Sequence, residues 1–323
     1  MSFDVFVLAA GLGTRLRPLT EIAPKPLVPV CGVPLLSWSL ALAAHHGLRR
    51  AVVNAHWLGE QLEAWSGERE GVHVTVVQEP EILGTGGGLR NLADRMAPTF
   101  VVLNADVLHA VDLGRLRAAV PAGGAAMALR PDPDAARYGI VAADAADRVV
   151  RLANVALATG DPVDVTTHFT GIHALDREAL ALVPPGFQCI VRTAYRALVP
   201  ARRVGAIRYE GAWLDAGDPE AYLDANLAVL DGKVAHPLDP WARAGWARRP
   251  DGTEVGDPEL VRGATVVGPA WIGPGARIGR GATLSRVVIG AGAEVPAAAE
   301  LVDSVVWDGA TARSGQRRIA SGR

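Results

Sequence analysis

Lysine is almost missing from this chain of 323 residues: Lys25 and Lys233 stand against 30 arginines. Cysteine is equally scarce. Cys31 and Cys189 are too few and too far apart for a metal cluster or a disulfide framework, and two buried thiols in a reducing compartment are the plainer reading. Long apolar runs are absent as well. No segment reaches the roughly 20 residues that span a bilayer, and the apolar run near the amino terminus stops at Gly11 with neither a basic leader nor a cleavage pattern. A cytoplasmic protein with no membrane partner is therefore expected. A large charge of one sign is also lacking: at a net −2, with arginines spread along the whole length, the composition argues against nucleic acid as a partner.

What is present is concentrated first in residues 11–30, GLGTRLRPLTEIAPKPLVPV, where a glycine-rich turn meets an arginine and a lysine at short range. The preceding FDVFVLAA is an apolar run of strand length, so the glycines leave the carboxyl end of a buried strand, where open α/β sheets bind ligands. Backbone N–H groups at Gly11 and Gly13 can approach anionic oxygens closely, and a helix starting after them would add its positive end. Arg15 and Lys25 supply mobile positive charge, and the combination reads as a triphosphate site. Two better-known phosphate loops are excluded: Leu16 stands where the dinucleotide fingerprint needs its third glycine, and no Gly-Lys-Ser/Thr ends a P-loop. An isolated lysine between two prolines would read as solvated surface. Beside GLGTRL, in a chain that writes nearly all its cations as arginine, Lys25 reads as a compact point charge for a phosphate oxygen.

Up to about Gly232, strand-like and helix-like segments alternate, as for a predominantly parallel sheet covered by helices. Strands are expected at Asp4 to Leu8, Ala51 to Asn54, His73 to Val77, Phe100 to Leu103 and Ala125 to Leu129. Helices are expected at Leu35 to His46, Leu58 to Trp65 and Gly87 to Arg95, and a hairpin at Ile140 to Leu152. Residues 233–257, rich in proline and charge, read as a connector. Beyond it, Leu260, Val266, Ile272, Ile278 and Leu284 recur every six residues, and after a one-residue slip Ile289, Val295 and Leu301 continue the period. Such a hexapeptide repeat puts one aliphatic per repeat inside a solenoid with small residues at its corners, and it resembles the left-handed parallel β-helix. The expected organisation is thus a nucleotide-binding domain over 1–232, a linker over 233–257, a β-helix over 258–312 and a frayed tail over 313–323.

The ordered series GxGTRLxPLT followed by PKPLxPV resembles the signature of the sugar-phosphate nucleotidyltransferases, which join a sugar 1-phosphate to a nucleoside triphosphate. The resemblance implies a Rossmann-like, mostly parallel mixed α/β sheet with helices on both faces, and Mg²⁺ as cofactor. It assigns the triphosphate to Arg15, Lys25 and the segment Ala9, Gly11, Gly13 and Thr14. In the family, an aspartate at an N-x-D strand end and another in W-x-D-x-G hold the metal, and these match Asp106 in VVLNADVLH and Asp215 in GAWLDAGDP. Two carboxylates plus phosphate oxygens are a sufficient set for magnesium. Asp218 is explained by helix capping alone. The block QEPEILGTGGGLRNL resembles the part that lines the nucleoside pocket, with Gln78 as base reader and Gly84 and Thr85 beside it. The alternative is that Gln78 merely ends a strand and Gly86 to Gly88 permit tight packing.

The sugar side departs from the family's commonest pattern. Many members carry Glu-Lys-Pro after the hairpin, where this chain has Asn154, Val155 and Ala156, so the lysine that meets the sugar phosphate is missing. Gly139, Asn154, Gly171 and Arg192 are the expected sugar-phosphate residues, with Arg192 in place of the lysine. The same departure occurs in members acting on N-acetylmuramate 1-phosphate, which AHWLGEQLEAW and HFTGIHAL also resemble, whereas LVDSVVWDGA is similar to the last coils of mannose-1-phosphate guanylyltransferases. UTP or GTP is therefore expected, with a sugar of N-acetylmuramate, mannose, glucose or heptose type. No histidine follows His236, so the solenoid lacks the base of β-helix acyltransferases and is read as a spacer or a surface for homo-oligomerisation. The alternative from another class is a non-catalytic, nucleotide-sugar-binding regulatory subunit. Such a chain would be expected to lose the metal aspartates or the lysine, which are all kept here.

Overall fold

The first apolar run becomes the strand Phe3–Leu8, whose Val5, Phe6 and Val7 are wholly buried. It pairs in parallel with Arg50–Ala55 on one side and Met96–Asn104 on the other. In a computed structural model of the protein, which describes residues 2–244, 258–316 and 319–320, this strand lies within an eight-stranded sheet. The order is Val204–Arg208, Ala125–Pro131, Thr167–Asp176, Met96–Asn104, Phe3–Leu8, Arg50–Ala55, Val72–Gln78 and Gly67–Arg69. Thr167–Asp176 runs antiparallel to both neighbours and Gly67–Arg69 antiparallel to Val72–Gln78; the other pairings are parallel. The result is the mostly parallel, mixed, Rossmann-like sheet that the alternation of segments implied.

The five expected strands are present with slightly wider bounds, and helices occupy Leu35–His45, Gly59–Glu63 and Gly84–Asn91. The hairpin forms between Val141–Ala143 and Val149–Leu152, turning through Asp147 at φ 53°, and gains Ala156–Leu157 as a third strand. Thr167–Asp176 and Val204–Arg208 were not foreseen as strands. In the first, Thr167, His168, Thr170 and His173 are buried polar residues that break the apolar pattern. Their satisfaction comes from elsewhere in the fold: Thr170 Oγ1 donates to Ala128 O at 2.8 Å, and His173 Nδ1 lies 2.7 Å from the Tyr195 hydroxyl. No helix among the described residues is long and apolar enough to cross a membrane. Cys31 is buried but Cys189 is only half-buried, which corrects the expectation of two buried thiols.

The residues group into two compact units. One holds the residues up to Leu12, Ser39–Ala105 and Ala110–Gly211, including the large sheet. The other holds Gly13–Trp38, Asp106–His109 and the described residues from Ala212 onward. Residues 212–232 thus group with the second unit and not with the large sheet. The reason is the helix Pro219–Leu230, which buries Tyr222, Leu223, Ala225, Leu227, Val229 and Leu230 within the second unit. The expected connector is partly ordered too: Asp239 caps the short helix Pro240–Arg243 and Trp241 is buried, while residues 245–257 lie outside the described residues.

The repeat region forms parallel ladders of a β-helix. Val266 pairs with Leu284 and Leu284 with Leu301, so one coil takes 18 and then 17 residues, three hexads with the slip absorbed between Val267 and Ala270. Corner residues stack with positive φ in columns, Gly275 on Gly292 on Gly309 in one of them, which is why glycine recurs beside the aliphatics. Ile272, Leu284, Ile289, Val295 and Leu301 are buried, whereas Leu260, Val266 and Ile278 are only partly so. The ladder continues past 312: Gly315–Gln316 and Ile319–Ala320 both pair with Glu300–Val306, so part of the expected frayed tail is strand.

Candidate active site

In the first unit, strand ends determine what the site residues can do. Leu8 and Asn104 are register partners at the carboxyl ends of parallel strands, so the chain leaves both in the direction where α/β sheets bind ligands. The Ala9 amide is taken: it donates to Asn54 Oδ1 at 2.7 Å. Asn54 Nδ2 donates to Glu79 Oε1 at 2.8 Å, and Glu79 Oε2 accepts from the Leu83 amide at 3.1 Å, just ahead of the helix Gly84–Asn91. Asn54 and Glu79 are both almost fully buried, and they tie three strand ends to that helix. Sequence reasoning missed this pair. The available signal was a polar residue closing each of two apolar strands, AVVNA and VHVTVVQE. Gly11, by contrast, is exposed with nothing within 4 Å of where a Cβ would stand.

Gln78 is exposed at the end of its strand, packed over Gly59, and lines a shallow pocket with His56, Leu58 and Glu60. The glycine run packs closely on residues 186–190. The amides of Gly86 and Gly87 both donate to Gln188 O, a Cβ on Gly84 would lie 2.6 Å from the same oxygen, and the Thr85 hydroxyl accepts from the Ile190 amide at 3.1 Å. These glycines are therefore required by tight packing, and the Thr85 side chain is engaged within the protein. Of the expected sugar-phosphate residues, Gly139 and Asn154 are brought together, since Ala153 between them in space donates its amide to Ile140 O at 2.7 Å. Asn154 lines a pocket with Arg151, Val155 and Leu157. Gly171, at φ 84°, sits against the Asn104 side chain, where a Cβ has no room. Arg192 is exposed on the single π-helical turn Val191–Tyr195, with no hydrogen bond to Gly139, Asn154 or Gly171 among the described residues.

The second unit gathers the charged residues. The helix expected after Gly13 is divided into the one-turn 3-10 helix Thr14–Leu16 and the four-residue helix Leu19–Ile22. Prolines at 18, 24 and 26 prevent more. Gly13, at φ 63°, accepts from the Thr20 hydroxyl at 2.8 Å through its carbonyl. Thr14 and Arg15 are exposed on this turn, and the Arg15 guanidinium approaches Gly217 and Asp215. Lys25 opens a second 3-10 turn, Lys25–Leu27, and its Nζ lies 2.5 Å from Asp106 Oδ2, with 12% of the lysine side chain and 30% of the aspartate's exposed.

Asp106 and Asp215 are brought side by side by backbone pairing. Trp213–Asp215 runs antiparallel to Val107–His109, Asp215 opposite Val107, and the Ala216 amide donates to Asp106 O at 3.0 Å. Burial pushes the Asp215 carboxyl above the usual carboxylate range, the Asp106 charge pushes it further, and Lys25 and Arg15 oppose both. Asp218 is the N-cap of Pro219–Leu230, its Oδ1 accepting from the Ala221 amide at 3.0 Å, as the Asp-Pro pair implied. Among the described residues no three His, Cys, Asp or Glu side chains converge as a complete metal cage. The donor set still fits a magnesium ion, which is commonly held by one or two carboxylates and completed by substrate phosphates and water. Two neighbouring, half-buried carboxylates are a suitable place for a divalent cation.

The Nucleotidyl transferase family matches residues 5–154. The chain is 33% identical to the mannose-1-phosphate guanylyltransferase of Mycobacterium tuberculosis over 300 residues, covering 90% of this chain and 82% of that one. It is 27% identical to the UTP–glucose-1-phosphate uridylyltransferase of Synechocystis sp., covering 93% and 86% of the two chains. The N-acetylmuramate alpha-1-phosphate uridylyltransferase of Neisseria meningitidis is 39% identical over 110 residues, 33% of this chain and 48% of its own. Among solved structures, HddC from Yersinia pseudotuberculosis has the same fold, with a TM-score of 0.56 at 23% identity, covering 69% of this chain and 98% of HddC. With similarity of this extent, the chain belongs to the sugar-1-phosphate nucleotidyltransferases.

Proposed function

We propose that this chain transfers a nucleoside monophosphate from GTP or UTP to a sugar 1-phosphate with Mg²⁺ as cofactor, giving a nucleoside diphosphate sugar and pyrophosphate. The observation that carries the reading is the grouping of Lys25, Asp106, Asp215 and Arg15 in one half-buried cluster of alternating charge. A sugar 1-phosphate oxygen is already anionic near neutrality and needs no strong base. It forms a bond to the α-phosphorus as the bond to the pyrophosphate oxygen breaks, so catalysis reduces to holding the reactants in line and offsetting the charge that builds up. Lys25 supplies a point charge for a single phosphate oxygen, and Arg15 a planar fork suited to the departing pyrophosphate. Gly11, Gly13 and Thr14 accommodate the triphosphate, with Ala9 anchoring the strand end through Asn54. Asp106 and Asp215 would hold the magnesium ion, which when bound adds neutralising charge at the phosphates.

Gln78, Gly84 and Thr85 are assigned to the nucleoside, and Gly139, Asn154, Gly171 and Arg192 to the sugar phosphate. GTP with a mannose-type sugar is the leading pair, because the guanylyltransferase relative is 33% identical, against 27% for the uridylyltransferase of similar coverage. UTP has a separate support in the exposed Gln78 amide, which can read a pyrimidine edge, and in the uridylyltransferase relatives. Pyrophosphate release from a panel of four nucleoside triphosphates against mannose, glucose, heptose and N-acetylmuramate 1-phosphates tests the reading. Turnover with one pair and its loss in Asp106→Ala are expected. No release from any pair, or near-normal release by Asp106→Ala in magnesium, refutes it.

A further inference from the structure

Lys25 belongs to a backbone that cannot hold itself in place. Residues 24–34 contain prolines at 24, 26, 29 and 34, which stiffen φ but donate no main-chain hydrogen bonds. After the turn Lys25–Leu27, the chain forms a minimal antiparallel ribbon of Pro29–Val30 with Val33–Pro34, closed by Cys31 and Gly32, both at positive φ. A two-residue ribbon is too short to be stable alone. Its anchors come from the helix Pro219–Leu230 and from the β-helix, all within the second unit. The Tyr222 hydroxyl donates to Pro29 O at 2.6 Å and accepts from Trp307 Nε1 at 2.9 Å. Asn226 Oδ1 accepts from the Cys31 amide at 2.8 Å. Trp271, from the first coil, covers Gly32 so closely that any Cβ there would fall inside its ring.

From this arrangement we infer that the β-helix positions Lys25, with Trp307 and Tyr222 as positioning residues for the transfer reaction. The hydroxyl of Tyr222, which is fully buried, uses its donor and an acceptor site at once, and substitution by phenylalanine strands both Pro29 O and the Trp307 N–H in a dry environment. The path from Pro29 to Lys25 is short and bonded. Val28 is fully buried, its amide donates to Lys25 O at 3.1 Å, and its carbonyl accepts from Leu35 N at 3.1 Å. A shift of Pro29 is therefore passed to the lysine that pairs with Asp106. The catalytic consequence rests on the proposed function; the positional claim does not.

The scarcity of lysine supplies the test. In the full-length protein, an amine-acylating ester followed by peptide mass spectrometry reports on Lys25, and Lys233, with 69% of its side chain exposed, serves as the internal reference. Trp307→Phe and Tyr222→Phe should raise the Lys25 to Lys233 labelling ratio about threefold or more while the melting transition stays well above the assay temperature. The same variants should lower kcat by about tenfold to a hundredfold, the scale of a small misplacement of a catalytic group, with KM for the nucleotide changed by less than about threefold. A folded Trp307→Phe with the wild-type labelling ratio, or one with a raised ratio and wild-type kcat, overturns the inference. If Tyr222→Phe does not fold, Trp307→Phe, which keeps a ring in place, decides it. If the wild-type protein releases no pyrophosphate from any substrate pair, the functional reading fails and the labelling ratio alone still decides the positional claim.

Discussion

The Lys25 ammonium and the Asp106 carboxylate, 2.5 Å apart, form an ion pair in which the lysine side chain is 12% exposed, and the second carboxylate, Asp215, is paired to the same strand end. The negative charge of Asp215 is opposed by this ammonium and by the Arg15 guanidinium. Lys25→Met removes the ammonium while keeping the apolar stem. Pyrophosphate release should fall by about 10² to 10³, the cost of losing one preorganised charge at a developing anion. Lys25→Arg should not restore more than about a tenth of the lost rate, because a planar fork cannot replace a point charge in a space of this size. Steady-state kinetics at saturating magnesium measure both.

Asp215 offers a test in which activity and stability move in opposite directions. Burial and the neighbouring Asp106 both raise its carboxyl above the ordinary range, so holding it ionised at neutral pH costs the folded state free energy. Asp215→Asn should abolish pyrophosphate release and remove the dependence of residual turnover on magnesium. In magnesium-free buffer it should leave the melting temperature unchanged or raise it by about 1 to 3 °C, after allowance for solvent screening of a half-exposed group. A drop of several degrees would show that Asp215 is a structural residue instead.

Much of the charged cluster was legible because the chain writes it in contiguous motifs: GLGTRL, PKPL, NAD and WLDAGD each carry a residue whose type and neighbours limit its role. The β-helix was legible from one aliphatic every six residues, since a solenoid repeats its local geometry. Asn54 and Glu79 were not, because a buried polar pair has meaning only once two strands bring its members together. Thr167–Asp176 was hidden for the same reason. Its buried histidines and threonines look like a polar loop until Tyr195 and Ala128 are seen to satisfy them. The roles of Trp307 and Tyr222 depend on contacts across 85 residues of chain, beyond the reach of any local pattern.

His173 makes the first unit sensitive to acid. Its imidazole is fully buried against Tyr195, and burial pulls its pKa from 6.5 down to about 3. The folded state therefore holds it neutral, while the unfolded chain takes up a proton below pH 6.5. The associated stability is present in full above pH 6.5 and is lost as pH falls toward 3, at about 1.4 kcal/mol per pH unit. His173→Gln, which can still meet the Tyr195 hydroxyl but does not titrate, should flatten this slope. Denaturant midpoints for the wild type and the variant between pH 7 and pH 5 give the comparison. The wild-type midpoint should fall relative to that of the variant as the pH drops from 7 to 5.

Gly11 and Gly13 have the same residue type for different reasons, and alanine separates them. At Gly13 the backbone is at φ 63° and a Cβ would lie 2.7 Å from Thr20 Cγ2, so Gly13→Ala strains the turn and crowds the residue whose hydroxyl bonds to the Gly13 carbonyl. It should lower the melting temperature by several degrees, following a loss of about 1 to 3 kcal/mol. At Gly11 no atom lies within 4 Å of the added methyl and the backbone is not in the left-handed region, so Gly11→Ala should melt with the wild type. If the bare backbone at Gly11 is there to let a phosphate approach, that methyl meets the nucleotide and nothing else. KM for the triphosphate should then rise by about tenfold or more, the glycine's value lying in the space it leaves open. Wild-type kinetics in Gly11→Ala would remove Gly11 from the triphosphate site and leave the turn's specificity to Gly13 and Arg15.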